Sequence, residues 1–233
     1  MRFSERPVDG LEIAYEGELL HTEHSGFQLV QVFDHPTFGR TLVLDGLVQT
    51  SQRDEFFYHE MLVHPAMLSH ANPKRVLIIG AGDGGALRRV LEHPSVERVL
   101  MCEIDRAVTD VSRALLPDIA GNAFEDPRAE VVFDDGHALV MRSTETFDVI
   151  IVDSSDPVGP GIVLFETPFY EACLRLLDPN GVFVAQTGSP VLMPSEIRMV
   201  AKNASAAFPD VRFYLGAVPT YPGKLWSYLL AGR

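Results

Sequence analysis

A chain of 233 residues that is 46% hydrophobic, 9% aromatic and 22% charged can bury a sizeable core, as one large domain or a main domain with a small appendage. Its 19 Lys and Arg against 32 Asp and Glu leave a formal net charge of −13, which argues against a nucleic-acid or anionic-membrane surface and suits a small cationic partner. Cys102 and Cys173 make neither a disulfide framework nor a metal-ligand spacing, and the opening MRFSERPVDG lacks the apolar core of a signal peptide, so a soluble cytoplasmic protein is expected.

From Leu11 to Gln49 short apolar runs are punctuated by turn residues: LEIAY, FQLVQVF (27–33), a DHPTFGR turn and TLVLDGLVQT (41–50). Alternation with β-branched and aromatic residues predicts hairpins, hence a small N-terminal antiparallel β domain over residues 1–53. Asp54 then opens a helical stretch, DEFFYHEMLVHPAMLSH, with an acidic start and an expected break at Pro65. The remainder, 54–233, is the second expected domain. Strand candidates at 75–80, 98–104, 129–133, 147–153 and 181–187 alternate there with helix candidates at 84–92, 105–116, 136–142, 166–177 and 195–207. Near-continuous apolar strands separated by helices predict a parallel sheet covered on both faces. Strands 211–219 and 225–231 are joined by TYPGK, too short for a helical crossover, so the last strand should run antiparallel. The predicted fold class is α/β: a seven-stranded, methyltransferase-like (Rossmann-like) doubly wound sheet behind the small β domain.

In such a sheet ligands bind beyond the carboxyl ends of the strands, near the topological switch. The first parallel strand runs into Gly80-Ala81-Gly82-Asp83-Gly84-Gly85, a loop that lets backbone approach a ligand, although a glycine-rich turn without ligand would read the same. Glu103 ends the next strand, placed to accept both ribose hydroxyls. Its neighbour Asp105 reads as a helix N-cap. No Lys-Ser/Thr follows the glycines and Asp83 would repel phosphate, so adenosine without phosphates fits better than a dinucleotide. Asp135-Gly136 after the third strand lies where the adenine edge would sit, with a plain turn and N-cap as the simpler account.

The fourth strand ends Ile151-Val152-Asp153, and Asp156 follows three positions later. With Asp83 these put three carboxylates at neighbouring strand ends, with no Lys or Arg in the same segments. Crowded like charges are costly unless something positive joins them. A metal would serve, but no His ligand set adjoins the cluster, so an organic polycation is the favoured partner.

The stretches DEFFYHEML (54–62), GAGDGGALRRVL (80–91), CEID (102–105), DPR…DDG (126–136), FDVIIVDSSDPVGP (147–160) and VPTYPG (218–223) resemble the polyamine aminopropyltransferases, in order from about Gln28 to Tyr228. The resemblance implies a co-substrate, decarboxylated S-adenosylmethionine, held by Gln28, Glu103, Asp135, Gly136 and Pro160, with Asp83 on its aminopropyl ammonium. It implies an acceptor amine such as putrescine bound by Tyr58, His59, Asp153, Ser154, Ser155, Asp156 and Tyr221, with Asp153 taking the proton. No metal and no tightly bound cofactor are implied, and relatives pair through the N-terminal β layer, so a homodimer or higher homo-oligomer is expected. On residue chemistry alone, Tyr58 and Tyr221 would be packing residues and His59 an ordinary partly buried histidine. Asp83 separates aminopropyl from methyl transfer, because a donor that keeps the methionine carboxylate would be repelled by it.

This chain departs from the family pattern at several points. Ala81 and Lys224 stand where glycine is common, Ala81 being tolerated if its φ is negative; no acid follows the Gly159-Pro160 pair; and the chain stops soon after its last strand. All seven core strands are present, so the fold is expected to survive. Two other readings compete with aminopropyl transfer: an S-adenosylmethionine-dependent amine methyltransferase, and a non-catalytic polyamine- or nucleoside-binding protein.

Overall fold

In this computed structural model, residues 1–157 and 159–232 are described, with the side chains at 159 and 160 outside that description, so the expectation for Pro160 lies there. The N-terminal segment forms a hairpin, β1 (Arg2–Val8) with β2 (Leu11–Glu16), and a four-stranded antiparallel meander of β3 (Glu18–His24), β4 (Leu29–His35), β5 (Gly39–Leu44) and β6 (Leu47–Ser51). Asp45 and Gly46 both have positive φ, +48° and +81°. That is the geometry of a two-residue hairpin turn, so TLVLDGLVQT is two paired strands and not one run.

Helix α1 (Glu55–Ser69) continues through Pro65 without the expected break. Proline removes the N–H that would have bonded the Met61 carbonyl one turn back. Here the Tyr214 hydroxyl donates to that carbonyl at 2.7 Å, so the orphaned acceptor is satisfied from outside the helix. Asp54 precedes the helix but makes no capping bond. Its carboxylate accepts from Ser51 Oγ at 2.6 Å and from both the backbone N and Oγ of Thr220 at 2.7 Å, tying the β domain to the loop before the last strand.

The main sheet comprises β7 (Arg75–Gly80), β8 (Arg98–Glu103), β9 (Ala129–Phe133), β10 (Phe147–Asp153), β11 (Leu177–Gly188), β12 (Asp210–Ala217) and β13 (Leu225–Gly232), in the order β12-β13-β11-β10-β7-β8-β9. β7 to β11 run parallel and β13 is antiparallel to both its neighbours, as the short TYPGK connection requires. Strand side chains alternate between two cores. Val76, Ile78, Val149 and Ile151 pack with α1 and α2 (Gly85–Leu91) on one face. Leu77, Ile79, Ile150 and Val152 pack on the other with α5 (Gly136–Arg142), α6 (Thr167–Leu176) and α7 (Pro194–Ala207). Helices α3 (Arg106–Leu115) and α4 (Pro117–Ala120) follow β8, and α3 lies against the β domain through Val108 and Val111, beside Val30 and Val32 of β4.

Strand order reverses between β7 and β10, where Gly80 is in register with Asp153. The ends of these two strands are therefore the sheet's switch point, and residues there face a crevice that α1 and the 218–224 loop border.

Candidate active site

Beyond β7 the chain turns sharply, and the Ala81 N–H donates to the Asp153 carbonyl at 2.9 Å. Ala81 takes φ +65°, so the negative φ on which its tolerance depended is not what the structure has. The backbone must fold back here to reach β10, and an L-residue in that region is strained by about 1–2 kcal/mol. Lys224 likewise sits at φ +59°, which accounts for the glycine common at that place, and its ammonium donates to the Pro219 carbonyl.

At the switch point the crevice is lined by Tyr58, His59, Asp83 and Asp153. Tyr58 Oη donates to Asp153 Oδ1 at 2.6 Å. His59 is 1% exposed, with Nδ1 2.7 Å from Glu55 Oε2 and Nε2 3.4 Å from Asp83 Oδ2. It is fully enclosed, not partly buried. Gly85 makes room for it: a Cβ there would lie 2.2 Å from the imidazole Cε1. Asp83 Oδ1 accepts the Gly85 N–H at 2.8 Å.

These contacts set the charges. Burial and the Asp83 carboxylate push Asp153 up to about 6, while His59 and the Tyr58 hydroxyl hold it back. Burial is the largest influence on Asp83 and acts the same way, but the His59 charge and contact together with the Gly85 N–H outweigh it, and the group lies below its ordinary value. Asp156 is raised to about 6 by burial, with Gln186 Nε2 its only opposing influence, at 3.5 Å. Gln186 Nε2 also donates to the Ser154 carbonyl at 2.9 Å, and its Oε1 accepts from Trp226 Nε1 at 3.0 Å. Ser154 turns its hydroxyl to the Ser155 carbonyl, and Ser155 is exposed. Tyr221 packs with its ring centroid 5.5 Å from that of Tyr58, and its hydroxyl donates to the Gln49 carbonyl of β6.

On the other side of β7, Glu103 is 7% exposed and accepts the Asp105 N–H at 2.8 Å. Burial and the neighbouring Asp105 and Asp153 charges raise it from 4.5 to about 7, against the pull of backbone N–H groups. Asp105 caps α3 as expected, accepting from the Ala107 N–H, and also binds Gln28 Nε2 at 2.8 Å. That bond brings Gln28 from the β domain to the start of α3, next to the end of β8. Asp135 caps α5 through the Ala138 N–H at 3.1 Å. A Cβ on Gly136 would meet Ile79 Cγ2 at 2.5 Å, so packing against β7 already requires glycine there. Sequence reasoning missed Glu55 and Arg89, whose buried pair stands behind His59 with Arg89 Nη2 2.8 Å from Glu55 Oε1. The i, i+4 spacing of Glu55 and His59 on one helix was the available signal.

A parallel sheet with an antiparallel last pair and a nucleoside-type crevice at its switch point places the molecule in the methyltransferase-like α/β class. Residues 55–233 match the spermine/spermidine synthase domain, and residues 3–52 the spermidine synthase tetramerisation domain. The chain belongs to the spermine/spermidine synthase family. It is 46% identical over 232 residues to a polyamine aminopropyltransferase of Desulforudis audaxviator, covering 99% of this chain and 84% of that one. It is 48% identical over 210 residues to polyamine aminopropyltransferase 1 of Pseudomonas aeruginosa, covering 90% and 73%. A crystal structure of a spermidine synthase in complex with the transition-state analogue AdoDATO superposes with a TM-score of 0.96 at 40% identity, covering 100% of this chain and 80% of that one. The Thermotoga maritima spermidine synthase gives 0.93 at 38% identity, covering 100% and 79%.

Proposed function

We propose that the protein is a polyamine aminopropyltransferase that moves the aminopropyl group of decarboxylated S-adenosylmethionine to putrescine, giving spermidine and methylthioadenosine. Asp153 carries the reading: a carboxylate at the switch point, held by Tyr58 and raised to about 6. In a single displacement the neutral amine attacks the methylene beside the sulfonium. Asp153 first takes the proton that makes the acceptor's ammonium neutral; the C–N bond then forms as the C–S bond breaks, and sulfur keeps the electron pair.

The raised value matters to the rate. An amine near pKa 10 and an unperturbed aspartate near 4 are about 6 units apart, about 8 kcal/mol. A turnover of about 10 per second allows only about 16 kcal/mol in all. With Asp153 at about 6, the gap narrows to about 4 units, removing about 3 kcal/mol, and the sulfonium lowers the amine further.

In this reading Glu103 accepts from the ribose hydroxyls, Asp135 and Gly136 border the adenine, and Gln28 and Pro160 help to hold the donor. Asp83, firmly ionised, takes the donor's ammonium. Tyr58 and Tyr221 line a channel for the amine's methylenes and meet its cationic end through their ring faces, while Asp153, Ser154, Ser155 and Asp156 surround its nitrogens. Residues 1–53 form a separate assembly domain in a homo-oligomer, a reading supported by the match to a tetramerisation domain. A cytoplasmic setting fits an enzyme of small polar metabolites, and no helix among the described residues is long and apolar enough to cross a membrane.

Incubation with decarboxylated donor and a panel of putrescine, cadaverine, agmatine and spermidine, read by mass spectrometry, should yield methylthioadenosine and an amine one aminopropyl unit longer, with putrescine used best. A methylated amine from the intact donor would make it a methyltransferase, and binding without product a binding protein.

A further inference from the structure

Both ring nitrogens of His59 end on carboxylates, Glu55 Oε2 at 2.7 Å and Asp83 Oδ2 at 3.4 Å. An ionised carboxylate only accepts, and a neutral imidazole has a single N–H. The Glu55 contact is a hydrogen bond and the Asp83 contact an ion-pair approach, so in a neutral ring whichever nitrogen lacked its proton would point a lone pair at a carboxylate. The clamp is built from the outside in: Arg89, 7% exposed, donates through Nη2 to Glu55 Oε1 at 2.8 Å and through Nη1 to Glu92 Oε1 at 2.8 Å. Glu55 is thus fixed between a guanidinium and the ring, and Gly85 closes one face of the imidazole. His59, Asp83 and Asp153 each have a polar atom within 4.8 Å of the others, so the ring lies beside Asp153 as well.

The geometry points to His59 as a standing imidazolium, clamped by Glu55 and Asp83, whose charge keeps Asp153 ionised for the reaction; Glu55 and Arg89 are the positioning residues that maintain it. This rests on Asp153 being the proton acceptor of the proposed function. His59 then offers the amine no free nitrogen, and the direct amine contact implied for it by the resemblance gives way to an effect exerted through Asp153. His59 stands within 4.8 Å of Asp83 and Asp153, so the acid cluster has a histidine beside it, contrary to the expectation from sequence.

The groups facing the ring come from every element around it. These are Glu55 and Tyr58 of α1, Asp83 of the loop after β7, Arg89 of α2 behind Glu55, and Asp153 of β10. Tyr221 stands beyond Tyr58, and Glu60 and Glu92 lie on the outer side of Arg89. Burial works against the charged ring, but Asp83 and Glu55 outweigh it and hold its pKa at about 10. Asp153, which burial and Asp83 would raise further, is restrained by that cation at about 6.

Long-range nitrogen–proton correlation spectra of the unliganded full chain read the ring directly. Both nitrogens of His59 should stay protonated to about pH 9; a neutral ring at neutral pH would overturn the assignment, whether or not the protein transfers aminopropyl groups. Glu55→Gln keeps the side-chain shape and should lower the His59 titration in the same spectra by about one unit or more. An unmoved titration would remove Glu55 from the role. In kinetics, His59→Gln should shift the acid limb of kcat/KM upward by about one pH unit or more, with rate recovered at alkaline pH. A uniform loss at every pH, as from a packing defect, would refute the link to Asp153. An intact imidazolium in a chain that transfers nothing would count against the proposed function and leave the clamp standing.

Discussion

Replacing Glu103 by glutamine tests whether the nucleoside side of the crevice is built at the expense of stability. In the empty protein this carboxylate is 7% exposed and is raised from 4.5 to about 7. Because the folded chain holds its proton more tightly than the unfolded chain, the folded state binds more protons between those values, and stability falls as pH rises through that window. The penalty is complete above about pH 7. At about pH 8 a shift of about 2.5 units corresponds to about 3 kcal/mol, whereas at about pH 5 less than about 1 kcal/mol of it remains. Glutamine keeps an oxygen for the Asp105 N–H, 2.8 Å away, and carries no charge. Urea unfolding of the unliganded chain followed by circular dichroism should show Glu103→Gln more stable by about 1–3 kcal/mol at pH 8, with the advantage shrinking toward pH 5. Calorimetric titration with methylthioadenosine should show weaker binding by about 2 kcal/mol, since one acceptor of two ribose hydrogen bonds is lost. An advantage equal at both pH values, or no advantage at all, would refute the argument that burial of this charge is the cause.

Asp153→Asn should abolish turnover while methylthioadenosine affinity stays near that of the parent, measured by product formation and calorimetry side by side; equal losses in both would deny it a separate role in proton transfer. Ala81→Gly should raise stability by about 0–1 kcal/mol in denaturant titration, because relief of about 1–2 kcal/mol of φ strain exceeds the entropy glycine adds to the unfolded chain. Tyr214→Phe leaves the Met61 carbonyl without the partner that Pro65 made necessary, and should lower stability by about 1–3 kcal/mol. Gly85→Ala drives a methyl group into the His59 ring, 2.2 Å from Cε1, and should cut turnover far more than it weakens nucleoside binding, as separate kinetic and binding assays would show.

The parallel sheet was legible because each of its strands is a short apolar run bounded by turn residues, and the acids that end β8 and β10 stand where those runs stop. What escaped was held by contacts remote in sequence. The β1 strand and β3 have charged residues on the exposed face and too few apolar ones to stand out. β11 begins at Leu177, immediately after α6, although Asp178-Pro179-Asn180-Gly181 reads as a turn. Pro65 reads as a break in the helix because the residue that rescues its turn, Tyr214, lies 153 positions from Met61. Asp54 read as an acidic helix start, but its oxygens reach Ser51 and Thr220. Local pattern reports which residues want burial; it carries no information about which distant hydroxyl satisfies a buried carbonyl or carboxylate.

The crowded acids that first suggested a cationic ligand turn out not to be equivalent. Asp83 already has a cation of its own in His59, and the pair Glu55 and Arg89 completes a buried block whose charges balance. That leaves Asp153 and Asp156, neither with a basic side chain bonded to it among the described residues, both raised to about 6 by burial. A carboxylate whose charge is disfavoured by its surroundings is stabilised most by an incoming cation, and it is also the better proton acceptor. In the proposed reaction, two such groups, three positions apart at the end of one strand, are the docking point for the positive ends of the acceptor amine and the destination of its proton. The compensated Asp83 stays ionised, as its proposed contact with the donor's ammonium requires. Removing His59's charge lets the pKa of both Asp83 and Asp153 rise, so in His59→Gln both carboxylates protonate more readily and KM for donor and amine should rise together near neutral pH and recover at alkaline pH. A rise confined to one substrate would show that the charge of His59 is felt on one side of the crevice alone.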